Sequence, residues 1–152
     1  MMNTDLQINA KIKNASTIAI AAHTRPDGDA IGSVLGLGLA LENAGKKVQY
    51  LFPDGIPTRF HFLPGAKNLT KKLETPVDLV IAVDSADIER TGGVFGDRQV
   101  DICLDHHKTN TRYGEINLVE DECAATAELI TKHLPAWNIP LTEDAANALL
   151  WH

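Results

Sequence analysis

The chain has 152 residues, of which 44% are hydrophobic and 22% are charged, a composition typical of one folded domain and unlike disordered or fibrous chains. Twenty acidic against fourteen basic residues give a net charge of −6, which excludes a protein that attracts nucleic acid by its overall charge. Two cysteines, Cys103 and Cys123, are too few for a disulfide framework and are expected to be buried thiols.

The first half of the chain predicts two strands separated by a helix. An apolar run at residues 17–22 predicts the first strand, and a helix is predicted over residues 29–43, ending at Gly45. Residues 47–52 predict a second, more alternating strand. The apolar runs are too short to span a membrane, and the first is too quickly followed by charges to be a signal peptide, so we expect a cytoplasmic protein.

The second half continues the same alternation. Residues 77–83 and 100–104 predict two apolar strands, and residues 124–133 predict a helix that Pro135 ends. Thr142 is expected to cap a further helix, since acidic residues follow it in the first turn. Apolar strands that alternate with helices predict a mainly parallel sheet covered on both faces, that is, a three-layer Rossmann-like α/β domain spanning residues 1–152.

Acidic residues and histidines follow three of the predicted strands. His23, Asp27 and Asp29 follow the first strand, Asp84 ends the third, and the sequence Asp105-His106-His107 ends the fourth. In an open parallel sheet the carboxyl ends of the strands meet at one edge, where ligands bind. We therefore expect these side chains to form one cluster. A purely structural alternative for Asp27 or Asp29 is that it caps the following helix.

The chemistry of this cluster points to divalent cations. Carboxylates and imidazoles without thiolates favour Mn²⁺ or Mg²⁺ over structural zinc. Four carboxylates packed closely would repel each other without cations between them; they are Asp27, Asp29, Asp84 and Asp105. Two cations would clamp a phosphoryl group and generate a bound hydroxide at neutral pH. They would also supply the positive field that an acidic chain lacks.

Three segments of the chain resemble the first three motifs of the DHH phosphoesterase superfamily. They are His23-x-x-Pro-Asp27-x-Asp29-Ala-Ile-Gly-Ser33, Val83-Asp84-Ser85 and Asp105-His106-His107. Residues 121–130 and the sequence Phe62-Leu63-Pro64-Gly65 are similar to the nanoRNase branch of that superfamily, the bacterial oligoribonuclease and pAp phosphatase proteins. The resemblance runs over nearly the whole chain from about residue 17.

The resemblance implies a role for each matching residue. It implies two Mn²⁺ ions, with Mg²⁺ as the alternative, whose ligands are His23, Asp27, Asp29, Asp84 and His106. His23 and Asp27 would hold one ion, Asp29 and His106 would hold the other, and Asp84 would bridge them. His107 would contact the scissile phosphate, and Asp105 would orient its neighbour. Exposed basic residues near the cluster are candidate substrate contacts, namely Arg25, Lys108 and Arg112.

The substrates that the resemblance implies are short RNA oligonucleotides and 3′-phosphoadenosine 5′-phosphate, and the protein is expected to form a homodimer, to avoid membranes and not to bind duplex nucleic acid stably. The family's fourth metal-binding aspartate and its smaller C-terminal substrate-binding domain have no match in this chain. We therefore expect an incomplete catalytic domain that binds one Mn²⁺ better than two and is weakly active or inactive.

Two alternative functions stay open. One is the manganese-dependent inorganic pyrophosphatase of the same superfamily, although Gly28 stands where those enzymes usually have threonine. The other is a metal-binding or nucleotide-binding domain without turnover, which the unmatched fourth aspartate favours.

A few other residues carry structural expectations only. His61 and His133 have no ligand-type companions in the sequence and are expected to be surface or core imidazoles. Three glycines of the first long helix are expected to allow close packing of the helix on the sheet, namely Gly32, Gly36 and Gly38.

Overall fold

A computed structural model describes residues 3–151, which form a six-stranded sheet and four α-helices. The strands are β1 (Thr17–Ala21), β2 (Lys47–Leu51), β3 (Leu69–Thr70), β4 (Leu79–Val83), β5 (Ile102–Asp105) and β6 (Ile116–Val119). The α-helices are α1 (Thr4–Lys13), α2 (Gly28–Asn43), α3 (Thr126–His133) and α4 (Glu143–Leu149). The strand order is β3-β2-β1-β4-β5-β6, and every pair of neighbours is parallel.

The central strand β1 shows why this sheet is buried on both faces. In β1, Ile18 and Ile20 belong to the large core that receives buried residues from all four α-helices. The intervening Ala19 and Ala21 belong to a smaller core on the opposite face, where loop residues such as Phe95 cover the sheet. Because neighbouring side chains on a strand point to opposite faces, an uninterrupted apolar run is needed at the centre of the sheet.

The three-layer Rossmann-like fold predicted from the sequence is confirmed. The four predicted strands and three predicted helices are present within a few residues of their expected bounds. Gly45 has φ of +93°, as expected for the glycine that ends α2. As predicted, α3 ends before Pro135, at His133, and Pro135 lies in a 3₁₀ turn, Leu134–Trp137, that directly follows it. Both cysteines are free and buried.

One α-helix and two strands were not predicted. In α1, only Ile8 and Ile12 are buried, so its apolar pattern is weak; its clearest signal is Asn3, whose side chain accepts a hydrogen bond from Leu6 N at 3.0 Å. Strand β3 has two residues, and β6 is a half-buried edge strand. Among residues 3–151, no helix is long and apolar enough to cross a bilayer.

The strand order places a topological switch point between β1 and β4. The chain leaves β1 for β2 on one side and returns to β4 on the other, so the loops after β1 and β4 diverge. Such a crevice at the carboxyl edge is where open parallel sheets bind ligands. The segments that follow β1, β4 and β5 are therefore neighbours at this edge.

Close packing by glycine is partly as predicted. A Cβ atom on Gly38 would collide with the Tyr50 ring of β2, so helix–sheet packing is right at that position. It is wrong for Gly32 and Gly36, which face α4: a Cβ atom on Gly32 would lie 2.5 Å from the carbonyl oxygen of Ala148. The glycines thus allow two helices, α2 and α4, to approach each other.

His133 has a side chain that is 11% exposed, in line with a structural imidazole, but the expectation that it has no ligand-type companions is wrong, because carboxylates flank both of its ring nitrogens. Nδ1 lies 2.9 Å from Asp5 Oδ1 and Nε2 lies 2.8 Å from Glu120 Oε1. Burial acts to raise the pKa of Glu120, but His133 and Lys132 outweigh it, and that pKa lies below its ordinary value. His133 thereby ties α1 and the end of β6 to α3. His61 contacts a backbone carbonyl instead, that of Ile56 at 3.2 Å.

Candidate metal centre

The turn after β1 presents the first two candidate ligands. Nδ1 of His23 lies 2.7 Å from the carbonyl oxygen of Thr24, to which an N–H at this position donates, and Nε2 faces the acidic cluster. Nε2 lies 3.8 Å from Asp27 Oδ1. Asp27 also caps α2, because its Oδ1 accepts a hydrogen bond from Ala30 N at 2.9 Å. Asp27, whose side chain is 68% exposed, therefore caps α2 and also belongs to the cluster.

Asp84 lies at the centre of the cluster. It directly follows β4, is 2% exposed and has φ of +53°, in the left-handed region. Its Oδ2 lies 3.5 Å from Nε2 of His23, and its Oδ1 lies 3.5 Å from Nε2 of His106. The two oxygens of one buried carboxylate thus face two different imidazoles.

His106 is oriented in the same way as His23. Its Nδ1 lies 3.3 Å from the carbonyl oxygen of Cys123, and its Nε2 faces the acidic cluster, 3.6 Å from Asp29 Oδ2. A histidine that donates one N–H to a carbonyl and directs its other nitrogen inward is typical of metal-ligating histidines.

Asp29 is held by the start of α3. Its Oδ2 accepts a hydrogen bond from Thr126 N at 2.9 Å, and its Oδ1 accepts one from Ala127 N at 2.9 Å. The Thr126 hydroxyl donates to Asp84 Oδ1 at 3.0 Å. These contacts were not predicted, since the partners are 97 residues apart in the case of Asp29 and Thr126 and no local spacing links them.

Asp105 lies beside the cluster and holds the loop that follows β5. It has no exposed surface. Its Oδ1 accepts from His106 N at 2.9 Å, and its Oδ2 accepts from the side-chain amide of Asn110 at 2.8 Å. Its Oδ1 also lies 2.7 Å from Nδ1 of His107, whose side chain is 43% exposed. Asp105 therefore orients the His107 imidazole and holds the backbone of His106, and Asn110 is a supporting residue that the sequence did not reveal.

The acidic surroundings change the proton affinity of the central pair. The hydrogen bond and charge of Asp84 raise the pKa of His23 to about 9, although partial burial opposes this. Burial and the neighbouring charges of Asp29 and Asp27 raise the pKa of Asp84, while His23 and Thr126 act against the shift. Protons and divalent cations would therefore compete for the same cluster.

The donor set fits divalent cations. In one group, donor atoms of His23, Asp27 and Asp84 all lie within 4.8 Å of one another. In a second group the same holds for Asp84, Asp105, His106 and His107. Imidazole nitrogens and carboxylate oxygens suit Mn²⁺ and Mg²⁺, and a buried carboxylate gains from a nearby positive charge. The sequence predicted Asp29 as a ligand of the second cation. The second group contains Asp105 and His107 instead, and Asp29 lies beside it, 3.6 Å from Nε2 of His106.

The predicted substrate contacts lie on exposed loops around this edge of the sheet. Arg25 lies in the turn after β1, and Lys108 and Arg112 lie in the loop after β5. Lys108 Nζ is 3.9 Å from Asp121 Oδ2, and both arginines have φ of +54°. Arg25 and Lys108 thus lie within two residues of His23 and His106, and Arg112 lies further along the same loop as Lys108.

The opposite edge of the sheet also has an open cavity, of about 500 Å³, but its acids have structural partners. Asp78 Oδ2 accepts from Ser16 N at 2.8 Å, and Asp101 Oδ2 accepts from Val80 N at 2.8 Å. These carboxylates hold the starts of strands rather than converge with histidines. The carboxyl edge is therefore the candidate site.

Two curated proteins are similar to this chain. One is the bifunctional oligoribonuclease and PAP phosphatase NrnA of Thermus thermophilus, 38% identical over 136 residues, which cover 88% of this chain and 41% of that protein. The other is the probable bifunctional oligoribonuclease and PAP phosphatase NrnA of Streptococcus mutans, 30% identical over 147 residues, covering 93% and 46%. The chain thus spans less than half the length of these relatives.

Solved structures show the same fold. An exopolyphosphatase-related protein from Bacteroides fragilis has a TM-score of 0.88 at 22% identity, over 97% of this chain and 48% of that one. The exonuclease RecJ bound to manganese has a TM-score of 0.54 at 13% identity, over 98% and 42%. The sequence match to a family extends over residues 17–151, and it is to the DHH family, N-terminal domain. By this match the chain belongs to the DHH family.

Proposed function

We propose that this chain is a metal-dependent phosphoesterase domain that hydrolyses phosphate esters of short RNA oligonucleotides, of 3′-phosphoadenosine 5′-phosphate, or of both. One observation carries the proposal: the two oxygens of buried Asp84 face His23 and His106, each at 3.5 Å. A carboxylate placed in this way is suited to bridge two cations. The names of the two relatives support these substrates, and the family match supports a phosphoesterase.

The proposed cations are two Mn²⁺ ions, with Mg²⁺ as the alternative. His23 and Asp27 would hold one and Asp29 and His106 the other, with Asp84 between them. Bound there, the cations would supply Lewis-acid chemistry, which polarises a phosphoryl oxygen and lowers the pKa of water. The manganese bound to RecJ supports this choice, as do the imidazole donors.

The protein's own groups would act on the substrate. His107 is held by Asp105 through Nδ1, so its Nε2 is free to bind a phosphate oxygen and to stabilise the charge that develops on it. Arg25, Lys108 and Arg112 would bind further phosphates of the substrate. Each lies on an exposed loop at the same edge, where a flexible basic side chain can reach an anion.

We further propose that this 152-residue form binds one Mn²⁺ better than two and turns over slowly. In the first set, His23 Nε2 and a partly free, exposed Asp27 carboxylate converge with Asp84. In the second set, both oxygens of Asp29 already accept backbone N–H groups, so fewer lone pairs remain for a cation. The cytoplasmic location and the homodimer stay predictions from the sequence.

Metal titration and turnover on one sample would test the proposal. Calorimetry should show Mn²⁺ binding, and chromatography should show slow, Mn²⁺-dependent cleavage of a diribonucleotide or of 3′-phosphoadenosine 5′-phosphate. Asp84→Asn is the matched control and should abolish both signals. Faster hydrolysis of pyrophosphate than of the dinucleotide would favour the pyrophosphatase alternative. Tight metal binding without turnover of any of the three would favour the non-catalytic alternative.

A further inference from the structure

A five-residue segment, residues 123–127, contacts every candidate ligand of the second cation. The carbonyl oxygen of Cys123 lies 3.3 Å from Nδ1 of His106. The amides of Thr126 and Ala127 donate to the two oxygens of Asp29, and the Thr126 hydroxyl donates to Asp84 Oδ1. The three ligands come from different strand ends, so this segment is their common support.

The first set of ligands has a separate, local support. His23 is oriented by the carbonyl oxygen of its neighbour Thr24, and Asp27 is oriented by Ala30 N in the first turn of α2. Only Asp84 is shared, and its Oδ2, which faces His23, is not the oxygen that the Thr126 hydroxyl contacts. A change at residue 126 should therefore affect the two cations unequally.

Thr126 is the central residue of this segment. It has no exposed surface, and it is the first residue of α3, where backbone N–H groups are unpaired within the helix and the helix dipole favours a carboxylate. Its hydroxyl limits the rotation of the Asp84 carboxylate, while its amide, with that of Ala127, fixes the plane of Asp29. The side chain and the backbone amide of this one residue thus contact two acids that approach each other from β4 and α2.

We propose that Thr126 is a positioning residue that controls occupancy of the second cation site, formed by Asp29, Asp84 and His106. This inference rests on the proposed function, since it concerns cations at the same centre. Thr126 contacts no cation itself. It acts by holding two carboxylates in the orientation that a cation requires, as residues behind metal ligands commonly do.

Four variants separate its contributions. Thr126→Val removes the hydroxyl at nearly constant volume, and Thr126→Ser keeps it. Thr126→Pro removes the hydroxyl and the amide donor together, at a first helical position where proline is accepted and after Ala125, whose extended backbone suits a following proline. Thr131→Val is the control, because Thr131 lies on the same helix but its hydroxyl donates to the carbonyl oxygen of Ala127.

The measurement is the amount of Mn²⁺ bound as a function of free Mn²⁺, followed by electron paramagnetic resonance and calorimetry, with thermal unfolding recorded for every variant. Thr126→Val should lower the affinity for the second cation by about 10-fold to 100-fold, as loss of a supporting hydrogen bond typically does. Thr126→Pro should lower this affinity at least as much. The affinity for the first cation should change much less, because His23 and Asp27 are supported by Thr24 and Ala30 instead. Thr126→Ser should restore binding, and Thr131→Val should bind as the unsubstituted chain does.

Three results would overturn the inference in distinguishable ways. If the Val and Pro variants at residue 126 bind as much Mn²⁺ as the unsubstituted chain at every free concentration, Thr126 has no positioning role, whatever the function of the site. If the unsubstituted chain itself binds no Mn²⁺, the proposed function fails and this inference fails with it. Equal weakening by Thr131→Val would show a general effect of α3 stability and would also contradict the proposal.

Discussion

Nδ1 of His107 lies 2.7 Å from Oδ1 of Asp105, a carboxylate with no exposed surface. Because this contact occupies Nδ1, the imidazole presents Nε2 to the open side of the cluster. The same histidine has a side chain that is 43% exposed, in contrast to His23 and His106, which are 22% and 21% exposed. His107 is thus the histidine of the three that a substrate can reach most easily.

We expect the His107→Ala variant to bind as much metal as the unsubstituted chain but to lose turnover. A histidine that contacts developing phosphoryl charge contributes on the order of 10² to 10⁴ in rate. Metal analysis and single-turnover cleavage of a dinucleotide would measure both quantities on one preparation. His106→Ala should instead lose the second cation. His61→Ala, at a histidine that contacts the backbone carbonyl of Ile56, should change neither. Equal metal loss in the two variants at residues 106 and 107 would refute this division of roles.

Asp84→Asn should reduce Mn²⁺ binding more than Asp27→Asn or Asp29→Asn. Asp84 faces both histidines, so its charge acts on both cations, whereas each of the other two acts on one. Calorimetric titration of the three variants with Mn²⁺ would measure the losses. Equal losses in all three would contradict the bridging role of Asp84.

Gly32→Ala should destabilise the fold. Alanine in a helix is ordinarily more stable than glycine by roughly 0.5–1 kcal/mol. Here the new Cβ would lie 2.5 Å from the Ala148 carbonyl oxygen, a backbone atom that cannot move alone. Such overpacking typically costs about 1–3 kcal/mol, so the collision should outweigh the propensity gain. Urea unfolding would measure the difference, with exposed Asn43→Ala on the same helix as control; a gain in stability at residue 32 would show that α4 moves away freely.

Asp78→Asn should reduce the amount of folding stability that the protein loses as the pH becomes acidic. Hydrogen bonds from Ser16 N and Thr17 N lower the pKa of Asp78 below its ordinary value of 3.8. The stabilisation is therefore present above the unfolded-state pKa and is lost as pH falls through the lower, folded-state pKa. Urea unfolding between about pH 2 and pH 6 would test this, since the window spans the ordinary aspartate pKa. Exposed Asp54→Asn is the charge-matched control, and an identical acid limb in both variants would contradict the role of Asp78.

The sequence predicted the central strands and the ligand cluster for a physical reason. Buried parallel strands need uninterrupted apolar residues, and polar residues such as Asp84 and Asp105 then mark where each strand ends. The edge elements are less constrained. Strand β6 is half-buried and α1 buries only Ile8 and Ile12, so neither needs a strong apolar pattern.

Contacts between distant segments were beyond the reach of the sequence. The hydrogen bonds from Thr126 to Asp29 and Asp84 join segments that no periodicity relates. The same holds for His133, whose partner Asp5 lies 128 residues away. A histidine or threonine in a helix has the same local sequence pattern whether it faces solvent or a carboxylate. Only the packing of the helices in the folded chain decides which of the two it faces.

The left-handed backbone of Asp84 has a consequence for how this protein tolerates heat. A side chain at φ of +53° destabilises the folded state by on the order of 1–2 kcal/mol relative to glycine. This strain lies at the residue whose carboxylate faces both histidines. We therefore expect selection for stability alone and selection for function to favour different residues at this position. If a library of this chain were selected only for survival at high temperature, glycine should accumulate at position 84, and each such survivor would be a more durable molecule without its central ligand.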